Sequence, residues 1–538
     1  MSASECPEYP VAGREGAIAS PHYLASLAGA RILQEGGNAV EAAVCANAVL
    51  GVVYPHMCGL GGDLFMLIYS AREDRLLGLN ASGRSPALAT RSFFSQRRFT
   101  SIPSRGILSI TVPGAVSGWS VALERFGKRN LGELLEPAIH YAEEGFPVSF
   151  RLSHWIKECS TLLSLDPESR RIFLPGDSVP APGQILRQGD LANSLRAIAR
   201  GGAEAFYRGP LAQAIARFCE RRGGLLRAED LASHRSDWVD PIHTSYQGYQ
   251  IYQLPPNTQG LAMLLELNLA EGFDLAALGL HTADYIHLGA EIKKLAFADR
   301  DAYLTDPDFA QIPVEWLCSK EYARRRIREI DLYRANPEPK PGPSLAGDTI
   351  YLCTADGEGN LVSLIQSLYL PFGSGLTVEG CGIVLQNRGS YFSLREDHSN
   401  RLEPRKRTLH TLIPALAFHR GRPYLVFGTM GGEGQPQTQF QVLCHLLHFG
   451  MNLQQAISSP RWLMGPRSLG DPPCLYLERG IPEEVEGGLE ERGHSVRWVE
   501  RGAEFFGHAH AIQVEYRSQG RIYWAASDPR SDGCALAW

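Results

Sequence analysis

Apolar residues recur at helical spacing from Pro21 to Gln34, and Gly36-Gly-Asn38 separates that stretch from a second run, Ala39 to about Val53. Two helices are predicted there. Gly59-Leu-Gly-Gly-Asp63 then leads into Leu64-Phe-Met-Leu-Ile-Tyr69, the pattern of a tight turn feeding a buried strand. A phosphate-binding glycine loop requires the opposite order, strand before and helix after, so that reading is set aside.

From about 120 to 330 the spacing is mostly helical. Glu136 to Glu144, Leu211 to Phe218 and Ile286 to Tyr303 are the clearest amphipathic pieces. A proline-rich stretch, Asn336-Pro-Glu-Pro-Lys-Pro-Gly-Pro-Ser344, follows, and so many prolines exclude helix or central strand. It reads as a spacer, or as an exposed arm placed before a site.

Beyond it the pattern changes to strands: Thr349 to Ala355, Leu361 to Ser367, Gly382 to Gln386, Pro414 to Phe418 and Tyr424 to Gly428. Asp356-Gly-Glu-Gly-Asn360 has the turn residues to join the first two as a hairpin. A helix from about Gln437 to Phe449 and strands near Gln513 and Tyr523 complete the chain. Hairpin strands with helices grouped between them predict stacked sheets covered by helices.

Bulk properties narrow the function classes. With 52 Lys and Arg against 58 Asp and Glu, the formal charge of the 538 residues is -6. The arginines of Arg324 to Arg328 alternate with apolar and acidic neighbours, so no nucleic-acid footprint is expected. No apolar run approaches the roughly 20 residues that span a bilayer, and the first residues lack the basic-then-apolar pattern of an export signal. Eleven scattered cysteines without Cys-x-x-Cys pairs argue against a disulfide framework or zinc site. The expected compartment is the cytoplasm, with no metal, no cofactor and no membrane partner. Neither a Gly-x-Ser-x-Gly elbow nor a His-Glu-x-x-His helix is present.

Glycine, hydroxyl and polar residues crowd between strands at 345–375 and 405–434. Gly347-Asp-Thr349 with Asp356 to Asn360 resembles the cleavage site of γ-glutamyltranspeptidases. The likeness extends through Phe372-Gly-Ser-Gly375, Cys381 to Asn387, Arg407 to Pro414, Gly428-Thr-Met-Gly-Gly432, Gly507-His-Ala-His510 and Asp528 to Gly533. Upstream it takes in Gly36 to Ala43, Gly59 to Gly62, Val112 to Gly118, Glu204 to Gly209 and Asp299 to Tyr303, so it covers nearly the whole chain.

The resemblance implies an α+β fold, the four-layer αββα sandwich of N-terminal-nucleophile hydrolases. It implies cleavage between Asp348 and Thr349, leaving a helix-rich large subunit, 1–348, that ends in the linker at 336–346. The small subunit, 349–538, carries the nucleophile, and the two form one catalytic domain as a heterodimer, with further dimerisation open. Thr349 becomes the N-terminal nucleophile, its own α-amine the base. Ser367 stands where the family has a Thr that hydrogen-bonds the nucleophile. Gly431 and Gly432 match the pair whose N–H groups form the oxyanion hole; the plainer reading is a strand-to-helix turn.

The pocket departs from the family pattern. Arg84, in Ser82-Gly-Arg-Ser-Pro86, lies two positions closer to proline than the family's carboxylate-gripping Arg, which on an extended segment keeps the same face. Tyr369 replaces an Asn, Arg388 an acidic or amide residue, and Tyr391 the Asp that holds the substrate ammonium. His410 and Thr411 replace paired serines. A pocket that loses an anion and gains a cation favours an anionic or aromatic acyl group over an α-amino one. Arg388 instead faces solvent and pairs with Glu379 or Asp397 on the plainer reading; His410 is a donor behind the substrate or a core histidine.

The pattern is that of the cytosolic acylase and oxamate amidohydrolase-like branch. The expected activity is hydrolysis of a small-molecule amide through acyl-Thr349. A true γ-glutamyl hydrolase or transferase is the alternative within enzymes, and an uncleaved, ligand-binding relative the alternative outside them.

Overall fold

Alternate residues of one hairpin face two different cores. In the computed structural model, which describes residues 8–337, 348–465 and 473–538, strand Asp348–Asp356 pairs antiparallel with Leu361–Tyr369. Tyr351, Cys353, Ala355, Leu361 and Ile365 pack with Leu416, Val426, Ile512 and Tyr523 of a second sheet. Ile350, Leu352, Val362 and Leu364 pack instead with the helices Tyr23–Gln34 and Ala39–Val53. The period of two along a strand produces this division, and a strand buried on both faces reads as a continuous apolar run.

Two seven-stranded sheets result. One runs Cys534–Ala537, Gly16–Ser20, Asp348–Asp356, Leu361–Tyr369, Asp63–Ser70, Arg75–Ala81, Asp237–Val239. The other runs Val11–Gly13, Gly520–Ser527, Ala509–Arg517, Arg422–Thr429, Ala415–His419, Tyr249–Gln253, Ile242–Tyr246. The outer face of the second sheet carries Ala415, Ala417, Leu425 and Phe427, covered by the helices Gly260–Ala270, Ala283–Tyr303 and Gly434–Leu447. Helix, sheet, sheet, helix is the expected αββα order.

The glycine-rich motif at 36–41 has a local cause. Asn38 caps helix Ala39–Val53, accepting from the Val40 and Glu41 N–H groups, while Glu41 Oε2 accepts from Asn38 N at 2.8 Å. Such a capping box contributes about 1 kcal/mol. Asp356 ties this helix to the hairpin turn: Oδ2 accepts from Ala39 N at 3.0 Å and Oδ1 from Gly359 N at 2.9 Å.

Two expectations change. The hairpin Ile242–Tyr246/Tyr249–Gln253 lies inside the stretch read as mostly helical and forms an edge of the second sheet. The strand expected at Gly382 to Gln386 shrinks to Ile383–Val384, paired only with Thr377–Val378, because Gly382 turns at φ +66°. Of the linker at 336–346, residues 338–346 lie outside the described residues.

The sheets meet closely where Gly428 backs onto Tyr351. A Cβ at Gly428 would stand 2.3 Å from the Tyr351 ring, whose hydroxyl is held 2.8 Å from Ser363 Oγ. Gly428→Val should therefore push the sheets apart and cost about 1–3 kcal/mol or more of stability. Calorimetric melting checks this; an unchanged midpoint would contradict the packing described.

Candidate active site

Thr349 and Ser367 stand at the same end of the central hairpin, on the face between the sheets. Thr349 Oγ1 donates to Ser367 Oγ at 3.3 Å, and the Tyr369 N–H donates to the same Ser367 oxygen at 2.7 Å. Both hydroxyl residues are buried. Two residues on, Tyr369 takes φ +82°, a strained value for a bulky side chain that turns the chain sharply out of the strand.

From the other sheet, strand Arg422–Thr429 runs into Met430, Gly431 and Gly432, then into helix Gly434–Leu447. The φ values of +117° and +53° at the two glycines belong to the region that side chains disfavour. A strand-to-helix turn is therefore what the segment is, and that form leaves its N–H groups uncommitted. Among the described residues neither glycine N–H finds an acceptor.

A buried ion network holds this turn. Gln259 Nε2 donates to Gly432 O at 2.9 Å, and Arg300 Nη1 donates to Gln259 Oε1 at 2.8 Å. Arg300 Nη2 reaches Glu433 Oε2 at 3.0 Å, and the Tyr391 hydroxyl donates to Glu433 Oε1. On the opposite side Gly507 packs against Gly431, and Arg461 donates to Gly507 O at 2.8 Å while pairing with Asp528 at 2.7 Å. Burial works to raise the Asp528 pKa, but Arg461 and Arg530 hold the carboxyl below the usual range.

The pocket residues fall into two groups. Arg388 is 1% exposed, so the solvent-facing alternative is excluded; Glu379 pairs with Arg221 and Asp397 with Arg395. Its Nη1 donates to Thr411 Oγ1 at 3.1 Å and its guanidinium lies 4.2 Å over the Tyr369 ring, which meets Tyr391 edge-on at 5.5 Å. Arg388, Tyr369, Tyr391 and Thr411 are thus brought together. His410 is buried with Nε2 at 3.1 Å from Asp63 Oδ2, a core histidine paired with a carboxyl group. Arg84 stands apart from this cluster, its guanidinium taken by Asp306 at 3.0 Å and Asp308 at 2.9 Å.

Asp63, Gln259, Arg300 and Glu433 were not singled out by the sequence. Arg300 does lie inside a motif that carried the family resemblance, Asp299 to Tyr303, and Asp63 directly follows another, Gly59 to Gly62. One trio, His287, Glu291 and His494, has metal-ligand atoms within 4.8 Å of one another. These atoms are already spent: His287 Nδ1 meets His494 Nε2 at 2.8 Å, and Glu291 takes Lys294 at 2.7 Å.

The comparisons with known proteins agree with this geometry. The profile described as Gamma-glutamyltranspeptidase matches residues 25–538. The chain belongs to the gamma-glutamyltranspeptidase family. It is 44% identical over 528 residues to the glutathione hydrolase-like YwrD proenzyme of Bacillus subtilis (strain 168), covering 98% of this chain and 99% of that one. It is 38% identical to the oxamate amidohydrolase proenzyme of Klebsiella pneumoniae subsp. pneumoniae, covering 97% and 98%. The crystal structure of cephalosporin acylase from Bacillus halodurans superposes with a TM-score of 0.91 at 37% identity, covering 100% and 99%. The fold is thus that of the family's N-terminal-nucleophile hydrolases, and relatives it matches are named as hydrolases, acylases and proenzymes. No helix among the described residues is long and apolar enough to cross a membrane.

The Arg300 network makes its own prediction. Arg300→Met leaves the Glu433 carboxylate buried without its cation and should lower the unfolding free energy by about 3–5 kcal/mol. Arg300→Lys should recover only part of this, since an ammonium keeps the charge but not the fork that spans Gln259 and Glu433. Denaturant melts of the three proteins measure both effects.

Proposed function

We propose that this chain is a self-cleaving amidohydrolase that divides into residues 1–348 and 349–538 and then hydrolyses a small-molecule amide through an acyl-Thr349 ester. The observation that carries the reading is the buried Thr349 Oγ1–Ser367 Oγ hydrogen bond, at the family's cleavage position and between the two sheets.

In the first step Thr349 Oγ adds to the Asp348 carbonyl carbon. The C–N bond breaks, an ester to Thr349 forms, and the α-amine is released carrying the hydroxyl proton. Water then hydrolyses the ester to the Asp348 carboxylate and the free hydroxyl. In turnover the α-amine, ordinarily titrating near 7.7–8.0, takes the Thr349 hydroxyl proton as Oγ adds to the amide carbonyl. The oxyanion is received by the Gly431 and Gly432 N–H groups, and the resulting ammonium protonates the departing amine. Water, deprotonated by the same α-amine, then releases the acyl group as a carboxylate. Donors of the glycine kind contribute a few kcal/mol of barrier reduction.

The acyl pocket supports hydrolysis of short acyl amides over γ-glutamyl transfer. Arg388 would repel an α-ammonium, while Glu433, the acid nearest Tyr391, is already engaged by Arg300. Buried cysteines such as Cys45, Cys58, Cys353 and Cys444 stand as thiols, which supports a cytoplasmic setting.

Intact mass is the direct test. The parent should give two fragments, the smaller beginning at Thr349, and Thr349→Ala should remain one inactive chain. Ser367→Ala should slow both cleavage and turnover by about 10–100-fold, the effect of a hydrogen bond of about 1.5–3 kcal/mol to a developing charge. Turnover should rise with pH as the α-amine loses its proton. A parent that stays uncleaved, without hydrolytic activity, would sink the proposal in favour of a binding role.

A further inference from the structure

Arg388 is a buried cation without a bound acid. Among the described residues its Nε and Nη2 have no hydrogen-bond partner, and neither has the adjacent Tyr369 hydroxyl. Burial pulls the guanidinium pKa down to about 10. Leaving two charged donors unsatisfied in a dry interior is costly, so a site built this way is prepared for an acceptor that arrives from outside.

Asp63 is the carboxyl group bound into the same framework. Its Oδ1 accepts from Gly83 N at 2.8 Å and Gln386 Nε2 at 3.0 Å, and its Oδ2 from His410 Nε2 at 3.1 Å. Two of these donors come from segments that also position Arg388. Gln386 precedes it by two residues, and His410 adjoins Thr411, whose hydroxyl accepts from Arg388. Asp63 also pairs directly across the sheet with Ser367, which puts the dyad on the same face as the nucleophile. His410 Nδ1 takes the Leu412 N–H at 3.4 Å, so the imidazole proton lies on Nε2, toward Asp63.

Burial keeps His410 neutral, and burial also pushes the Asp63 carboxyl up to about 7, against the pull of its donors and of Arg388 and Arg407. The remaining charged and titratable groups around the pair are engaged by partners or held by burial. Arg407 is spent on Asp237 at 2.8 Å and Ser82 O at 3.1 Å. The Tyr207 phenol, donating to Pro113 O at 2.9 Å, is kept protonated by burial. Tyr369 and Tyr391 are likewise kept protonated by burial. The Thr349 α-amine freed by cleavage adds one further group, titrating ordinarily near 7.7–8.0.

We propose that Asp63 and His410 form a proton-loading dyad beside Arg388, through which the acyl pocket takes a carboxylate-bearing acyl group together with one proton. This rests on the reading that the pocket holds the acyl half of an amide. In the empty site Asp63 balances Arg388. An incoming carboxylate, held by Arg388 Nε and Nη2 and the Tyr369 hydroxyl, would leave two anions against one cation in a poorly polarisable interior. The dyad then accepts a proton from solvent, and no covalent bond changes.

The sign follows. Below pH 7 the dyad is already loaded and binding is at its strongest. Above pH 7 loading must accompany binding, so affinity falls by up to tenfold per pH unit until the bound-state pKa is passed.

Calorimetric titration of the cleaved protein with succinate and glutarate, in phosphate and in Tris at pH 7.5, reads the proton directly. Expected are uptake of about three-quarters of a proton and a Kd that weakens about fivefold from pH 7 to pH 8. Asp63→Asn should bind with no uptake and no pH slope, and Arg388→Gln should lose binding at least 100-fold. His410→Gln, which should also flatten the slope, serves if Asp63→Asn melts early. Binding without proton uptake, or uptake unchanged in Asp63→Asn, would overturn the dyad. Failure of both dicarboxylates to bind, with butyramide still hydrolysed, would overturn this inference and leave the amidohydrolase standing. Uptake without hydrolysis of butyramide, succinamate or glutaramate would uphold the dyad and remove the hydrolase reading.

Discussion

Everything at the site depends on the central hairpin being buried on both faces. Because Tyr351, Cys353 and Ala355 face the second sheet while Ile350 and Leu352 face the helices, its register has no freedom. A slip of one residue would turn Thr349 toward the helix layer and leave apolar side chains where the hydroxyl pair stands. The Thr349–Ser367 contact is thus a consequence of core packing, not a local arrangement added to it. The turn at Asp356 to Asn360, anchored on the N-terminus of helix Ala39–Val53, pins the other end of the same register.

The opposing turn is held differently, by charge. Gly431 and Gly432 cannot be positioned by side chains of their own, so their neighbours are fixed instead. Arg300 works through Gln259 and Glu433 on one side, and Arg461 through Asp528 and Gly507 on the other. All of these groups are buried, where a half-broken pair costs more than the pair contributes. Such networks are poor sources of net stability and good sources of uniqueness. A turn whose two N–H groups are left without acceptors among the described residues gains from the second property.

Much of the architecture was legible because it is written in local patterns. Helix Ala39–Val53 carries its own capping box, and the strands around 349–369 and 415–429 are rich in apolar residues and bounded by turn residues. The edge hairpin Ile242–Tyr246/Tyr249–Gln253 was missed because His243, Ser245 and Gln250 face outward and break any apolar run. Its turn, with Gln247 and Gly248 both at positive φ, was the available signal. Arg388 was legible as a chemical oddity, but its burial was not. Glu379 and Asp397, the acids it was expected to meet, pair instead with Arg221 and Arg395. Asp63 and His410 are 347 residues apart, and no spacing rule connects them.

The pocket combines two choices that would each be costly alone. An unpaired buried arginine is destabilising, and so is a buried carboxyl with only neutral donors around it. Set near one another, joined through Gln386 and Thr411, each lowers the cost of the other without forming a closed ion pair. A closed pair would have left neither Arg388 Nε nor Nη2 without a partner. Arg84, on its own part of the wall, is closed in that way by Asp306 and Asp308. The contrast between the two arginines is one of closure: Arg84 is closed by carboxylates, whereas Arg388 keeps Nε and Nη2 without hydrogen-bond partners among the described residues.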